Sequence, residues 1–456
     1  MAEFGINGNN KRGAADGGRL VVRAKSEQAP GEDASLFKTD VPGQKGPEYG
    51  KRKLRVRHKN EVSVYEEQLD EQYGLDHRDK VLIGLVAALV VAFVAAVLLP
   101  SGILSTGKTV SIAWFTENIS SNISNLLAYF TGENPYNVMH YEFCRYLVVI
   151  LAGAALGVIG GVYQSSMKNA LASPTTLGVV SGGTLGAMLF VILCSEDQAQ
   201  MVTMRASDIM DYYASLSVTE YLSALYGQAA FTLLGCFIVV AFVLAVSLIA
   251  GKGKISGVVM VVTGQVVTMV AASVMTLIRN YYSSSVGGDA LKSSALQQVR
   301  SAQFSAMYTE LDLLFMGVPI VICIVVILAM RMRMNALTFS DEEARSMGIS
   351  TVGSRYALVG VCTLMTALVI AFCGSIGFVG FVVPHLTRRL VGPGFKHYIP
   401  ATALAGALFM LLACFVSSFI GADEYGGVRM LTTIIGGVAF VIVAIRGRGR
   451  ATSDEL

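Results

Sequence analysis

The chain has 456 residues, of which 53% are apolar and 15% are charged, and its mean hydropathy is +0.57. Because a soluble domain is typically about a quarter charged, this composition excludes an ordinary soluble enzyme. The formal net charge of +3 is too small to indicate nucleic acid as a partner. Residues 1–80 carry 29 of the 67 charges, so only 38 remain for the other 376 residues.

The N-terminal segment combines Gly, Pro and charges of both signs with few aromatic residues. Such a composition cannot bury enough surface to offset the entropy lost on ordering. We therefore expect residues 1–77 to form a cytoplasmic, largely disordered tail, with residues 1–50 disordered and a short charged helix at 61–73. The first apolar run begins at Val81, so we expect no cleavable signal peptide, and the first span itself would direct insertion.

Beyond this tail, nine segments contain no Asp, Glu, Lys or Arg, which matters because a charge at mid-bilayer costs at least about 2.5 kcal/mol. Most are long enough for the roughly 20 helical residues that cross about 30 Å of hydrocarbon. The segments are 81–107, 146–167, 169–195, 221–251, 255–278, 313–330, 356–387, 397–422 and 430–445. This pattern predicts an all-α polytopic membrane protein with no ionisable residue well inside a span.

The charge bias of the connecting segments predicts the orientation. Segments expected on the inner side hold 13 basic and 5 acidic residues, and those expected outside hold 7 basic and 13 acidic residues. By the positive-inside rule, both termini are then cytoplasmic, and the number of crossings must be even. We therefore expect residues 356–387 to cross twice, although 32 helical residues cover only about 48 Å. The run from Gly374 to Gly380 would break the helix, which brings the total to about ten spans, some short or broken.

Three apparent motifs are given structural interpretations. Residues 102–109 (GILSTGKT) match the phosphate-binding loop pattern, but they follow a membrane helix on the outer face, so we expect an ordinary turn. The seven cysteines lack metal-like spacing and are interpreted as small core residues, with Cys144 and Cys194 as the one pair placed to form a disulfide. The five histidines include no close pair, so no metal site is predicted. His385, near the helix break, is expected to cap backbone rather than to catalyse.

A short cytoplasmic helix is predicted after the sixth span. Ser340 and Glu343 have the spacing of a capping box, acidic residues occupy the first turn, and Gly348 follows at the end. A helix this short needs a surface on which to pack. From the residues alone, a surface helix resting on the bundle and a docking element for a cytoplasmic partner are equally good interpretations.

Three blocks of sequence together resemble a known family. They are Asn169–Gly178 (NALASPTTLG) with Gly182, Gly183 and Gly186, then Leu337–Gly348, and then Gly374–Leu390 (GSIGFVGFVVPHLTRRL). In order and spacing they resemble permease subunits of the type II ATP-binding cassette importers for iron-siderophores, haem and cobalamin. The resemblance covers about residues 80–448. It implies a cobalamin-permease-like domain at 78–450, a cytoplasmic tail at 451–456 and a location in the bacterial cytoplasmic membrane.

The resemblance also implies partners. Two cytoplasmic ATPase subunits would hydrolyse ATP with Mg, so the permease itself would not be an enzyme and would bind no cofactor. A second permease subunit would complete the pathway, with a heterodimer favoured, and an extracytoplasmic binding protein would deliver the substrate. Membrane lipid surrounds such a protein, and no nucleic acid is expected. The cargo stays open among iron-siderophore, haem and corrinoid.

Residue roles follow from the resemblance position by position. The coupling helix at 338–348 would meet the ATPase through Ser340, Asp341, Glu342, Glu343, Ala344, Arg345, Ser346 and Gly348. The substrate pathway would be lined by Met260, Thr263, Gln265 and Met269 of the fifth span, although helix packing is an open alternative for these side chains. Binding-protein docking would use Glu142, Arg145 and Arg429. The structural motif residues are Asn169, Pro174, Gly178, Gly377, Gly380, Pro384 and His385.

Two departures from the family pattern keep other functions open. The family usually has two arginines before its second span, where this chain has only Arg145, and the proline after Asn169 is replaced by Ala170. A non-transporting partner subunit in a heterodimeric permease would tolerate such losses. An ion-coupled secondary transporter would also use broken helices, but it would be expected to carry a carboxylate within a span.

Overall fold

The structure is a computed structural model that describes residues 75–99, 112–132, 138–194, 218–251, 257–284, 289–300, 308, 310–420 and 427–451. The predicted N-terminal tail up to residue 74, its helix at 61–73, the GILSTGKT segment and residues 452–456 lie outside this range.

The described part of the chain contains helices and no strands. They are α1 (Leu75–Leu98), α2 (Ile112–Thr131), α3 (Val138–Ser166), α4 (Val179–Leu193), α5 (Val218–Ala250), α6 (Gly257–Ser283), α7 (Ala290–Arg300), α8 (Glu310–Ala329), α9 (Arg331–Leu337), α10 (Asp341–Ser346), α11 (Thr351–Cys373), α12 (Val379–Val391), α13 (Phe395–Ile420) and α14 (Gly427–Ala451).

Each predicted span corresponds to one helix: α1, α3 to α6, α8 and α11 to α14. Among the described residues, seven of these helices are long and apolar enough to cross a membrane. Two of the remaining helices, α4 and α12, have 15 and 13 residues, and the apolar part of α14 ends at Ala439. The prediction of an all-α polytopic membrane protein with some short spans is confirmed.

The break within residues 356–387 lies where the glycine run predicts it. Helix α11 ends at Cys373, α12 begins at Val379, and the turn between them uses left-handed backbone at Gly374 (φ 71°) and Phe378 (φ 64°). Because Pro384 has no N–H, the Gly380 carbonyl one turn earlier has no helical donor. The side-chain amide of Gln164 on α3 donates to this carbonyl at 3.4 Å and to that of Phe381 at 3.3 Å. The carbonyl that Pro384 leaves without a helical donor is therefore satisfied by a protein side chain, as membrane depth requires.

Helix α3 lies at the centre of the bundle. In the most apolar stretch of α3, 78% of the residues are buried, whereas only 11% are buried in the corresponding stretch of α1, which lies at the periphery. Glycines permit its close contacts: a Cβ at Gly153 would clash with backbone of Gly406 on α13, and one at Gly160 would clash with backbone of Gly380 on α12. Small residues allow such approach between membrane helices, where no hydrophobic effect drives association. A Cβ at Gly157 would likewise clash with the Thr402 backbone of α13, so the glycines of α3 are packing residues.

Two described helices, α2 and α7, lie between predicted spans and are not among the helices that the sequence predicts. Helix α2 is fastened to α1 by the Asn122 side chain, which donates to the Leu98 carbonyl at 3.2 Å, and α7 packs through Leu296 against α4 and α6. In α2, the spacing of Ile119, Ile123 and Leu127 is a helical signal that could have revealed it.

All seven cysteines are free and buried. Their interpretation as core residues is confirmed, and the possible Cys144–Cys194 disulfide is absent. Small sulfur-containing side chains pack as apolar groups in the core. Cys144 and Cys194 belong to two different buried clusters, which accounts for the missing disulfide.

Candidate functional site

The predicted capping box is present at the start of α10. The Ser340 hydroxyl accepts from the Glu343 N–H at 3.2 Å, and the Ser340 N–H donates to the Glu343 carboxylate at 2.9 Å. These hydrogen bonds with Ser340 lower the pKa of Glu343 below its ordinary value. A carboxyl with a lowered pKa stabilises the folded form at higher pH, so this contribution is lost as pH falls through the lowered pKa.

Ser340→Ala is expected to loosen α10 without unfolding the bundle. Loss of an N-cap costs about 1 kcal/mol, which corresponds to roughly fivefold faster exchange of the amides within the helix. Hydrogen exchange with mass spectrometry on residues 341–346 would measure this effect. Thr is the control because its hydroxyl retains the cap, and equal protection in Ser340→Ala and wild type would contradict the expectation.

Helix α10 is held on the bundle by one charged side chain and one small apolar side chain. Asp341 accepts two hydrogen bonds from the Arg355 guanidinium, at 2.8 and 3.3 Å, while Ala344 is fully buried. Lys168 contacts both Asp341, at 3.9 Å, and the Phe339 carbonyl. Of the eight predicted coupling residues, Asp341 and Ala344 therefore face the permease itself.

The other predicted coupling residues form an exposed surface. These are Ser340, Glu342, Glu343, Arg345, Ser346 and Gly348. The two interpretations that the sequence left open are thus compatible, because the helix rests on the bundle and still presents a charged face outwards. An exposed, rigidly held helix with both charge signs can meet a partner of complementary charge.

The Asn169–Gly178 motif forms a compact turn between α3 and α4. The Asn169 side chain accepts from the Leu171 N–H at 2.9 Å, and the Ser173 and Thr176 hydroxyls bond each other and nearby backbone. Gly178 has φ 75°, a left-handed conformation that glycine adopts without strain. Backbone of this turn lies directly against Gly264 of α6. The turn is therefore rigid and touches the helix predicted to line the pathway.

The four predicted pathway residues of α6 do not share one face. Met260 is buried in the core of this chain, Thr263 and Gln265 are partly exposed, and Met269 is 67% exposed. A pathway between two permease subunits lies along surfaces that a single chain leaves exposed. The exposed Met269 and the partly exposed Thr263 and Gln265 could lie on such a surface, whereas Met260 packs inside the chain.

Residues of the third sequence block have separate structural roles. Gly380 packs against α3 and near Pro174, while Gly377 has free space around it. His385 lies inside α12 and hydrogen-bonds Arg389 at 3.2 Å, so it does not cap the break as expected. The Pro384 carbonyl accepts from the Tyr398 hydroxyl at 3.3 Å.

The predicted docking arginine at the outer end is engaged within the bundle. Arg145 lies 3.7 Å from Glu142 and donates to the Tyr146 hydroxyl at 3.1 Å, and its side chain is 11% exposed. Tyr146 in turn donates to the Ala96 carbonyl of α1. Arg429 lies in the first turn of α14 and is partly exposed. The structure therefore leaves Arg145 little free surface and Arg429 more.

Three contacts at the ends of the spans depend on the fold and could not be predicted from local sequence. They are those of Arg355 and Lys168 with Asp341, and that of Gln164 with Gly380. Asp341 lies 14 residues from Arg355 and 173 residues from Lys168 along the chain. Gly380 lies 216 residues from Gln164. The available signal was position alone, since each of these residues lies at or near the end of a span that is predicted to be cytoplasmic.

The chain matches a protein-family model over residues 94–446, that of the FecCD transport family. It is 24% identical over 379 residues to a putative ABC transporter permease protein of Methanocaldococcus jannaschii, covering 83% of this chain and 98% of that protein. It is 26% identical over 343 residues to the iron-uptake system permease protein FeuB of Bacillus subtilis, covering 74% and 91%. It is 25% identical over 302 residues to the molybdate import system permease protein MolB of Haemophilus influenzae, covering 66% and 79%.

A solved structure has the same fold. It is described as an inward-facing conformation of a putative metal-chelate type ABC transporter, and it matches with a TM-score of 0.59 at 23% identity over 81% of this chain and 99% of that one. The match to the family model over residues 94–446, the three ordered sequence blocks and the helical bundle all indicate the same family. The chain belongs to the FecCD transport family and is a multi-pass permease subunit of the type II ATP-binding cassette importers.

Proposed function

We propose that this chain carries an iron-siderophore, haem or corrinoid-type substrate into the cytoplasm, driven by two separate ATPase subunits that bind α10. The observation that carries this proposal is the coupling helix: it is capped by Ser340, anchored through Asp341 and exposed at Glu342 and Arg345. ATP and Mg would be used by the ATPases, and the permease would bind no cofactor. Residues 78–450 would form the ten-span domain, with both termini in the cytoplasm.

The pathway would run between this chain and a second permease subunit. Helix α6 supports this arrangement, since Val262, Val266 and Met269 leave one side of the helix exposed in the single chain. Gln265 and Thr263 flank that side and offer uncharged polar groups. An amide and a hydroxyl can face a passage without the cost of a buried charge. The passage would therefore admit bulky ligands with little charge selection.

The class of cargo is supported by the relatives. FeuB of Bacillus subtilis is named an iron-uptake permease, and a protein of Escherichia coli that is 25% identical over 335 residues is named a ferric enterobactin permease. The molybdate permease of Haemophilus influenzae shows that the similarity also extends to a small oxyanion system. A metal-containing solute is common to these names, and a chelate is the class that we propose.

A role as the accessory member of a heterodimer is the second candidate. The pairing of Arg145 with Glu142 and Tyr146 favours it, because a binding protein would find this arginine largely covered. Docking would then depend on Arg429, on the outer segments or on the second permease. In this case α10 would still bind an ATPase.

The test is gentle detergent extraction from the native membrane followed by mass spectrometry of the co-purifying proteins. We expect an ATPase with a phosphate-binding loop, and a second ten-span permease if the complex is a heterodimer. The complex would then be reconstituted in liposomes and supplied with ferric siderophore, haem, a corrinoid or molybdate. Purification of the chain alone, under conditions that preserve a known importer complex, would contradict the proposal, and uptake of molybdate alone would change the cargo.

A further inference from the structure

We propose that Asp341, Arg355 and Lys168 form a charged clamp that transmits movement of the coupling helix to the pathway helix α6. This inference rests on the proposed function and adds the residues that connect its two ends. None of the three would touch ATP or cargo, so all three are positioning residues.

The clamp joins three parts of the chain at the cytoplasmic end. Asp341 is the first residue of α10, Arg355 lies in the first turns of α11, and Lys168 follows the end of α3. The Arg355 guanidinium bonds both carboxylate oxygens of Asp341, at 2.8 and 3.3 Å, and its Nε donates to the Ser166 carbonyl at 3.0 Å. One side chain therefore ties the coupling helix to the last turn of α3.

Lys168 makes a second connection between the same two parts. Its Nζ lies 3.9 Å from Asp341 and donates to the Phe339 carbonyl, just before the coupling helix. The backbone of Lys168 has φ 50°, an uncommon conformation for a residue with a side chain. Since this conformation directs the chain out of α3 and into the motif turn, Lys168 links the start of that turn to the segment leading into α10.

The connection is stiff because its central charge is buried. The Arg355 side chain is 7% exposed, compared with 37% for Asp341 and 40% for Lys168. A bidentate arginine–carboxylate pair fixes both distance and orientation. Breaking such a pair leaves the buried guanidinium uncompensated, so the two groups are expected to move together rather than to separate.

The motif turn carries the displacement onward to α6. Backbone atoms of Thr176 and Leu177 lie so close to Gly264 that a Cβ there would be 2.6 Å from the Leu177 Cα. Backbone meets backbone at this contact, and no flexible side chain can absorb a shift. The hydroxyl bonds of Ser173 and Thr176 keep the turn rigid. A movement of α10 would therefore reach α6 beside Thr263 and Gln265, where the pathway is proposed.

The test uses the complete complex of permease and ATPase subunits in liposomes, with uptake and ATP hydrolysis measured together. In Asp341→Asn the carboxylate is neutralised with little change of size. We expect uptake per ATP hydrolysed to fall about tenfold, within the usual range of allosteric coupling, while the ATPase still co-purifies. Asp341→Glu retains the charge and is expected to recover much of the coupling. Asp79→Asn is the matched control, since it neutralises another carboxylate at this end of the bundle, one that lies 3.8 Å from the His397 imidazole and outside the proposed clamp.

A purely structural role would lower the yield and the melting temperature and leave the ratio of uptake to hydrolysis unchanged. Lys168→Met gives a second measurement if Asp341→Asn does not assemble. In this variant the buried Arg355 guanidinium keeps its Asp341 partner. An unchanged ratio in the assembled variants overturns the clamp while the importer function stands. Absence of ATP-driven uptake in the wild-type complex overturns the proposed function and, with it, the clamp.

Discussion

Replacement of Glu342 and Arg345 together by alanine is expected to uncouple ATP hydrolysis from uptake and to leave the bundle folded. Both side chains are exposed on α10, whereas Ala344 is buried and Asp341 is held by Arg355. Because they contribute charge to a surface rather than to the core, their removal should not affect folding. Loss of two charges at a partner interface costs roughly 2 kcal/mol, so we expect uptake to decrease about 30-fold.

The measurement is uptake into liposomes alongside ATP hydrolysis and thermal stability of the same preparation. Lys396→Ala is the matched control, since Lys396 is also exposed at the end of the bundle that is predicted to be cytoplasmic but lies at the start of α13, outside α10. We expect this control to transport at the wild-type rate. Unchanged uptake in the Glu342 and Arg345 double variant would remove the coupling role of α10.

Gly160→Ala is expected to destabilise the bundle strongly, although it adds only one methyl group. The new Cβ would lie 2.6 Å from the Gly380 Cα and closer still to its carbonyl oxygen, so α3 and α12 would have to separate. Overpacking of this kind costs typically about 1–3 kcal/mol, and separation would also disturb the bonds from Gln164 to the broken segment. We therefore expect a cost of about 3 kcal/mol.

The comparison for this variant is Gly360→Ala on α11, where a Cβ would meet nothing within 4 Å. Alanine in an open helical position is favoured over glycine by roughly 0.5–1 kcal/mol, so this variant should be neutral or slightly stabilised. Melting temperature and the fraction recovered in monodisperse form after extraction would measure both variants. Equal values for the two would show that α3 and α12 do not depend on this close approach.

The element pattern of this protein could be predicted from the sequence because the membrane imposes a simple rule. Long apolar stretches without charge are expected to be helices, and the charge bias of the connecting segments requires an even number of crossings. That requirement, together with the glycine run, predicts the separation of α11 and α12 at Gly374. The capping box at Ser340 was equally predictable, since its hydrogen bonds join residues three apart. These features depend on neighbours along the chain.

Helices α2 and α7 are less evident from the sequence than the membrane-crossing helices. Their residues are mixed in polarity, and their helical form is supported by packing against α1, α3, α4 and α6 rather than by a membrane rule. Tertiary packing also decides which residues of α6 are buried and which are exposed. Met260 and Met269 look alike in the sequence, and only their neighbours place one in the core and the other on the surface.

The resemblance of three sequence blocks indicated the family. The sequence by itself predicted the helical class and the order of the apolar helices, which follow from hydropathy and charge, and the position of the short capped helix α10, which follows from local spacing. Only the tertiary structure decided what holds that helix. Asp341 was placed among residues that face a partner, yet it is bound to Arg355, and Arg145 was placed at a docking surface, yet it is paired with Glu142. A charged side chain can face a partner or its own protein, and the choice depends on which opposite charge the fold brings within about 4 Å, which local sequence does not encode.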